Sequence, residues 1–347
     1  MRLAFFLLCS LLAFFSAGVR ADDADTLMKR YEGKVPGASL LVLKDGKPVL
    51  RKAYGYADLE TGVAATPATN YRLASISKQF TAAAILLLAE DGKLKLSDSV
   101  RHWLPSLPAS DANITIHHLL SHGSGLIDYE DLIPPGTTRQ LDDGDVLRML
   151  SAETRTYFPA GTSYRYSNSG YVLLGLIVER ASGQRLPDFL RKRIFQPLHM
   201  DHTMLREPKG PQPTHRAYGY SEQDGHWLRT DQDLTSATRG DGGIYSSIDD
   251  LAKWDAALYD DRLLSDESRR LAFAAQNKVT GETDVDAYGY GWRIHGDVLW
   301  HSGESIGFRN VIVRWPKQGV TVMLLSNRNE PEPYGLAKEI GEAYLKP

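Results

Sequence analysis

Apolar and polar positions divide the chain into segments with distinct periods. "GASLLVLKDGKPVLRKAYGYAD" (37–58) has two apolar-rich runs on either side of Asp45-Gly46. Asp-Gly between such runs is a two-residue turn signal, so this stretch predicts a β-hairpin. "ADDADTLMKRYEG" (21–33) before it predicts a short first helix. Residues 76–91 are apolar on nearly every side, which predicts a buried helix. From about 95 to 280 the pattern is mostly helical and loop-like, rich in Pro and Gly. "YVLLGLIVERASG" (171–183) predicts a helix stopped at Gly183, and "IDDLAKWDAALYD" (248–260) predicts another. Strand patterns return in "YGYGWRIHG", "VLWHSG", "RNVIVRW" and "VTVMLLSN", with a turn at 316–319. "EPYGLAKEIGEAYL" (332–345) closes the chain as a helix. Strands at both ends with helices between predict an α+β fold, one sheet built from both termini and a mostly helical region inserted in the middle. The α/β part falls at roughly 22–95 and 281–347, the helical part at roughly 96–280. No internal repeat or long low-complexity stretch appears.

Residues 1–21 have a different character. Arg2 precedes "LAFFLLCSLLAFF", followed by "SAGV" and Arg20-Ala21. A charged start, an apolar run too short to span a bilayer comfortably and a small residue at a cleavage point predict a secretory signal peptide; an uncleaved anchor is the alternative. The mature domain is then 22–347. Cys9, the only cysteine, lies inside the apolar run, and Leu7-Leu8 before it lack the small residue of a lipoprotein signal. A mature chain without cysteine has no disulfide and no thiol nucleophile. Export without cysteine suits a secreted or periplasmic protein of a bacterial envelope. No transmembrane run follows, so no stable membrane insertion is expected after cleavage.

The 347 residues carry a formal net charge of -3 with no basic block, which gives nucleic acid no electrostatic footing. Chemistry is concentrated in three short motifs. Ser75 and Lys78 are three apart at the mouth of the buried helix, a spacing that puts both side chains on one face. Desolvation there lowers the proton affinity of an amine, and a neutral amine beside a hydroxyl acts as its base. The Ser75 N–H, at a helix start, is an unpaired donor suited to an oxyanion. A serine before a helix also serves simply as a cap. In "SYRYSNSGYVLLG", Tyr166 and Asn168 flank one residue on a loop running into a helix. A phenol can share a proton with a lysine, and an amide can orient lysine and substrate; an ordinary Tyr/Ser/Asn turn is the alternative. In "WHSGESIGF", His301-Ser302-Gly303 ends a strand, the glycine permits close backbone approach, and the Glu304 N–H completes an oxyanion pair. Otherwise His301 is a partly buried histidine at a strand end.

Two other patterns fail on inspection. "GESIG" (303–307) matches a nucleophile elbow, but no histidine follows Ser305 and the next segment has a strand pattern rather than a helix. His118 and His122 in "HHLLSH" have zinc spacing but no glutamate between them, which leaves capping or packing as their role.

The ordered set Ser-x-x-Lys, Tyr-x-Asn, His-Ser-Gly resembles the serine β-lactamase and penicillin-recognising superfamily, on the branch of class C β-lactamases, D-alanyl-D-alanine carboxypeptidases and related esterases. "LLSHGSGL" (119–126), "PAGTSYRYSNSGYVLLGLIVERASG" (159–183), "IFQPLHMDHTML" (194–205) and "GGIYSSIDDLAKW" (242–254) extend the resemblance over most of the mature chain. It implies an antiparallel sheet flanked by helices beside a mostly helical region, with the site in the cleft between them. It also implies Ser75 as the acylated nucleophile, Lys78 and Tyr166 sharing base and acid roles, and Asn168 holding Lys78 and the acyl amide. The N–H groups of Ser75 and Glu304 would form the oxyanion hole. Neither a metal nor an organic cofactor is implied; the partner is a small-molecule or peptide substrate.

Two departures bear on substrate. Many family β-lactamases carry lysine where this chain has His301, and a small residue where it has Glu304. A histidine is mostly neutral at neutral pH and a poor reader of a β-lactam carboxylate, whereas a lysine is a lasting cation. The leading expectation is an exported serine hydrolase cleaving an ester or amide/peptide bond, of esterase or D-alanyl peptidase type. The alternatives are a class C-type β-lactamase and a catalytically silent binder of peptidoglycan peptides.

Overall fold

The structure, a computed structural model, describes residues 24–345. The expected signal segment and Cys9 lie outside the described residues. A short helical segment at 24–31 leads into the hairpin of β1 (Ala38–Lys44) and β2 (Lys47–Tyr54). Asp45 and Gly46 make its turn with φ of 51° and 72°, the left-handed pair that a twisted two-residue hairpin demands. Six more strands come from the far end of the chain: β3 (Asn277–Lys278), β4 (Ala287–Tyr288), β5 (Arg293–His295), β6 (Val298–Ser305), β7 (Phe308–Trp315) and β8 (Val320–Ser326). They join the hairpin in one eight-stranded sheet of order β3-β4-β5-β6-β7-β8-β1-β2. Every pairing in it is antiparallel. The fold is therefore α+β, with both chain ends meeting at β1 and β8, as the strand patterns predicted.

The central strands are buried on both faces, which explains why β8 reads as a continuous apolar run. Register settles which residue goes where. Leu40 opposes Leu324, and Val313 opposes Val322. These pack on one face under α4 (Tyr334–Leu345), with Ala337, Ile340 and Tyr344. Leu41, Leu43, Ile312, Met323 and Leu325 line the other face, in the core of the helical region. There α1 (Ser77–Glu90) is buried from Ser77 to Leu88 and packs against α2 (Asn168–Ser182). Gly183, at φ 68°, ends α2 as expected. The helix predicted at 248–260 forms as α3 (Ile248–Ala257).

The middle region is less purely helical than its pattern suggested. Tyr71–Arg72, Ile244–Ser246 and Met204–Leu205 form a small three-stranded sheet. Tyr220–Gln223 and His226–Arg229 form a separate hairpin. Strands of two to four residues are too short to show an alternating pattern. They matter for placement: pairing of Tyr71 with Ser246 brings the loop at 240–243 over the start of α1. Among the described residues, no helix is long and apolar enough to cross a membrane.

Candidate active site

Between Thr69 and Leu88, Ser75 alone is not buried. It lies in the 3-10 turn Ala74–Ile76, just ahead of α1. Ala74 has φ 48°, a left-handed conformation that strains any residue with a Cβ. Such strain persists only where surrounding packing holds it, and here the turn sets Ser75 outward from an otherwise buried segment. Gly303 on β6 supplies part of that packing. A Cβ there would lie 1.9 Å from the Leu73 carbonyl oxygen and 3.3 Å from Ile76 Cγ1. The strand backbone thus presses directly on the turn.

Lys78 follows one turn later with its side chain fully buried. Its Nζ donates to Ser75 Oγ at 2.9 Å, Asn168 Oδ1 at 2.8 Å and the Asp241 carbonyl at 3.0 Å. The Asn168 and Asp241 oxygens can only accept. Ser75 Oγ alone can either accept or donate. A neutral amine would keep its two N–H bonds to Asn168 and Asp241 and turn its lone pair to the Ser75 hydroxyl. The same cage therefore serves both protonation states of Lys78.

Asn168 opens α2, capped by the Ser167 hydroxyl, which accepts from Gly170 N. Its own N–H donates to Asp128 Oδ2 at 2.7 Å, and its Nδ2 donates to Glu130 Oε1 at 3.0 Å. Glu130 thereby fixes the amide with its oxygen toward Lys78. Burial, Asp128 and Asp241 raise the Glu130 carboxyl above the usual glutamate range. Burial likewise raises Asp241, against the pull of Lys78.

Tyr166 is placed differently from the expectation of a proton shared directly with Lys78. Nζ of Lys78 faces the ring, 4.9 Å from its centroid, and the Tyr166 hydroxyl is buried without a hydrogen-bond partner. An unpaired buried hydroxyl costs roughly 1–3 kcal/mol, which an incoming polar atom would recover.

His301 needs a correction. Its side chain is fully buried, with Nε2 2.9 Å from the Tyr288 hydroxyl and Nδ1 2.6 Å from the Ser302 carbonyl. Burial first, then Arg293, push its pKa well below the ordinary value, so it is neutral. On alternating strand positions His301 and Gly303 share a face, where Gly303 meets the turn of Ser75 and the His301 ring packs 6.1 Å from that of Tyr166, closed off from solvent. Ser302 is buried as well. The Glu304 side chain is half exposed, and its charge is met by Arg309 at 3.7 Å. What β6 offers a ligand is backbone. Pairing with β5 ends at Arg293 opposite Trp300, so 301–305 have no strand neighbour on that side.

Arg293 went unnoticed in the sequence because it sits inside a strand pattern. Its guanidinium lies 5.5 Å from the Tyr166 ring centroid, its Nε is buried without a partner, and Glu282 approaches only to 3.6 Å. It is the cation beside the free edge of β6. The two decoys resolve as read. Ser305 ends β6 opposite Phe308 in a hairpin, with no helix after it. His118 closes a capping box with Thr115, and His122 is buried, its Nδ1 accepting from Ser167 N. No group of side chains suited to a metal occurs among the described residues.

The pattern of the family described as Beta-lactamase matches residues 19–344. The chain belongs to the Beta-lactamase family. Penicillin-binding protein 4* of Bacillus subtilis is 33% identical over 315 residues, 85% of this chain and 69% of that protein. Protein flp of Staphylococcus aureus is 31% identical, covering 89% of this chain and 63% of its own length. The chain thus spans about two thirds of these longer relatives. Among solved structures, a penicillin-binding protein from Bacillus halodurans superposes with a TM-score of 0.79 at 28% identity, over 91% of this chain and 98% of that one. The D-amino acid amidase of Ochrobactrum anthropi SV3 gives 0.77 at 26%, over 94% and 95%. Membership in the Beta-lactamase family makes this a chain of the serine β-lactamase and penicillin-binding-protein fold.

Proposed function

We propose that the protein is an exported serine hydrolase that forms a covalent acyl-enzyme on Ser75 and cleaves an amide or peptide bond of D-alanyl type, or the corresponding ester. The observation that carries this reading is the reversible Lys78–Ser75 contact inside a cage of two obligate acceptors. In the acylation step Lys78 Nζ takes the Ser75 proton as Oγ attacks the carbonyl carbon. The N–H groups of Ser75 and Glu304 face the oxyanion. The unpaired Tyr166 hydroxyl donates to the leaving amine or alkoxide, and water then releases the acyl group by the reverse proton path.

Arg293 favours a substrate whose leaving group ends in a free carboxylate. A guanidinium with an unpaired Nε next to a free strand edge provides directional donors for such a group. The relatives named as penicillin-binding proteins and as a D-amino acid amidase support amide chemistry on D-residues. The silent-binder alternative is weakened by the same cage, because binding alone has no use for a buried lysine on a serine hydroxyl. A labelling experiment tests the reading. Incubation with a fluorescent penicillin and with a fluorophosphonate should give a covalent adduct on Ser75, located by peptide mass spectrometry. A hydrolysis screen should rank D-alanyl peptides and their ester analogues above β-lactams. No adduct with either probe would leave the binder standing.

A further inference from the structure

Three arginines converge beside the strand that leads into the nucleophile turn. Arg72, on Tyr71–Arg72, is buried, and its Nη1 donates to the Ser236 carbonyl at 3.1 Å. Arg216 has a side chain only 9% exposed, with Nη1 on Gln212 Oε1 at 2.6 Å and its guanidinium over the rings of Tyr218 and Tyr245. Arg206 is half-buried, with Nη1 on Gln232 Oε1 at 3.1 Å and Nε on Gln212 Oε1 at 3.4 Å. Among the described residues, Asp231 is the only carboxylate ion-paired with any of the three. The remaining partners are amide and carbonyl oxygens and, for Arg216, the Tyr245 hydroxyl at 3.5 Å; Arg72 and Arg206 have no ion-paired carboxylate, although the buried Asp241 feels the charge of Arg72. The Nε groups of Arg72 and Arg216 are both buried without an acceptor. Burial first lowers the pKa of Arg206; Arg216 and Arg72 lower it further, while Tyr245 and Asp231 act the other way.

Clustered cations with unpaired buried donors are costly to a fold unless something anionic meets them. We infer that Arg72, Arg206 and Arg216 form an oxyanion subsite that takes a dianionic phosphate group carried by the substrate. Two guanidiniums without an ion-paired carboxylate match a phosphate monoester, which is close to doubly ionised at neutral pH, better than a single carboxylate. Guanidinium donors also suit its several acceptor oxygens. Entry is from the side of exposed Gln212 and half-buried Arg206. The cluster uses none of Ser75, Lys78 or Tyr166. Phosphate binding there is independent of the hydrolase reading, while the claim that the substrate carries the phosphate rests on it.

The test uses the whole protein and two variants. Inorganic phosphate, titrated by calorimetry at low ionic strength, should bind saturably at one site. Arg206→Gln, which breaks only contacts to glutamines, should weaken that binding about tenfold. Arg51→Gln, an exposed residue paired with Asp249 far along the chain, should leave it unchanged. In a second arm, two esters differing only by a phosphate monoester are compared. Arg206→Gln should lower kcat/KM for the phosphorylated ester about tenfold and leave the neutral one alone. No saturable phosphate binding, or equal binding in Arg206→Gln, overturns the subsite. Weakened phosphate binding with no difference between the esters overturns the substrate assignment and leaves a site for free phosphate. Absence of turnover on any ester, with phosphate still bound, faults the hydrolase reading instead.

Discussion

Gly303 touches Leu73: a methyl group on Gly303 would lie 1.9 Å from the Leu73 carbonyl oxygen. That oxygen is backbone, so it cannot swing away as a side chain would. Gly303→Ala must therefore displace β6 from the turn that holds Ala74 and Ser75. The expected loss of stability is about 1–3 kcal/mol, the usual scale of overpacking. Acylation of Ser75 should slow by a larger factor than the lost stability accounts for, because a misplaced nucleophile acts on the reacting geometry itself. Thermal unfolding and single-turnover acylation, measured side by side, check this. Parent-like rates would mean that β6 does not register the turn.

Lys78→Met should fold and fail to acylate. Methionine fills a similar volume, and the substitution removes a buried amine while leaving the Asn168 and Asp241 oxygens without its N–H groups. Each acceptor that loses its donor should cost about 1–3 kcal/mol. Mass spectrometry after long incubation with a fluorophosphonate should show little or no adduct. Rapid labelling in Lys78→Met would remove the lysine from the base role. Ser305→Ala should label like the parent, since Ser305 sits in the β6–β7 hairpin.

Glu130 should set the acid limb of the pH–rate profile. Burial together with Asp128 and Asp241 raises its pKa, so it takes up a proton above the usual glutamate range. Glu130→Gln keeps an acceptor for Asn168 Nδ2 and removes the negative charge. With no carboxyl left there to protonate, the acid limb of kcat/KM should move down. Stability carries a separate sign. A carboxyl raised in the fold contributes its stability below the unfolded pKa and loses it as pH rises. Glu130→Gln should therefore raise Tm at neutral pH and not in acid. An unmoved acid limb would separate Glu130 from the base.

His122 and His301 should make the protein acid-sensitive. Both are buried and held neutral, with pKa values pushed well below the ordinary value, in each case first by burial. Unfolding releases them to about 6.5, where they take up protons that the folded state refuses. Depressed imidazoles therefore stabilise the fold above that pH and cease to as pH falls below it. The two imidazoles should pull Tm down as pH drops from about 7 to 5, against the opposite pull of Asp143 and Glu332, whose carboxyls burial raises to about 7. His301→Gln should lessen the downward pull, and an unchanged slope of Tm against pH would mean that the imidazole is already charged in the fold.

Arg293 should read substrate charge where His301 does not. The ratio of kcat/KM for a carboxylate-ended substrate to that for its neutral analogue should show no step near pH 6.5. Arg293→Gln should lower that ratio about tenfold, the worth of one charge-assisted contact. A step that survives in Arg293→Gln and disappears in His301→Gln would return the role to the histidine.

Local pattern carried much of the molecule. Asp45-Gly46 announced its hairpin because a two-residue turn needs left-handed residues, a property of the residues themselves. The buried helix α1, the Gly183 stop and the four terminal strands were legible for the same reason: burial on one or all faces imposes a period on the sequence. Ser75, Lys78, Tyr166 and Asn168 were legible as motifs, since Ser-x-x-Lys and Tyr-x-Asn are short local spacings. Tertiary structure alone decided which oxygens cage Lys78, because Asp241 lies 163 residues away along the chain. It decided that Glu130 orients Asn168 across a gap of 38 residues, and that Arg293 borders the free edge of β6. It also reversed His301, which a motif presents as a ligand and strand alternation turns inward. Spacing along a chain fixes what neighbours can do on one helix or strand. Which faces meet, and which charges lose their water, follows from packing between elements, and no local period records that.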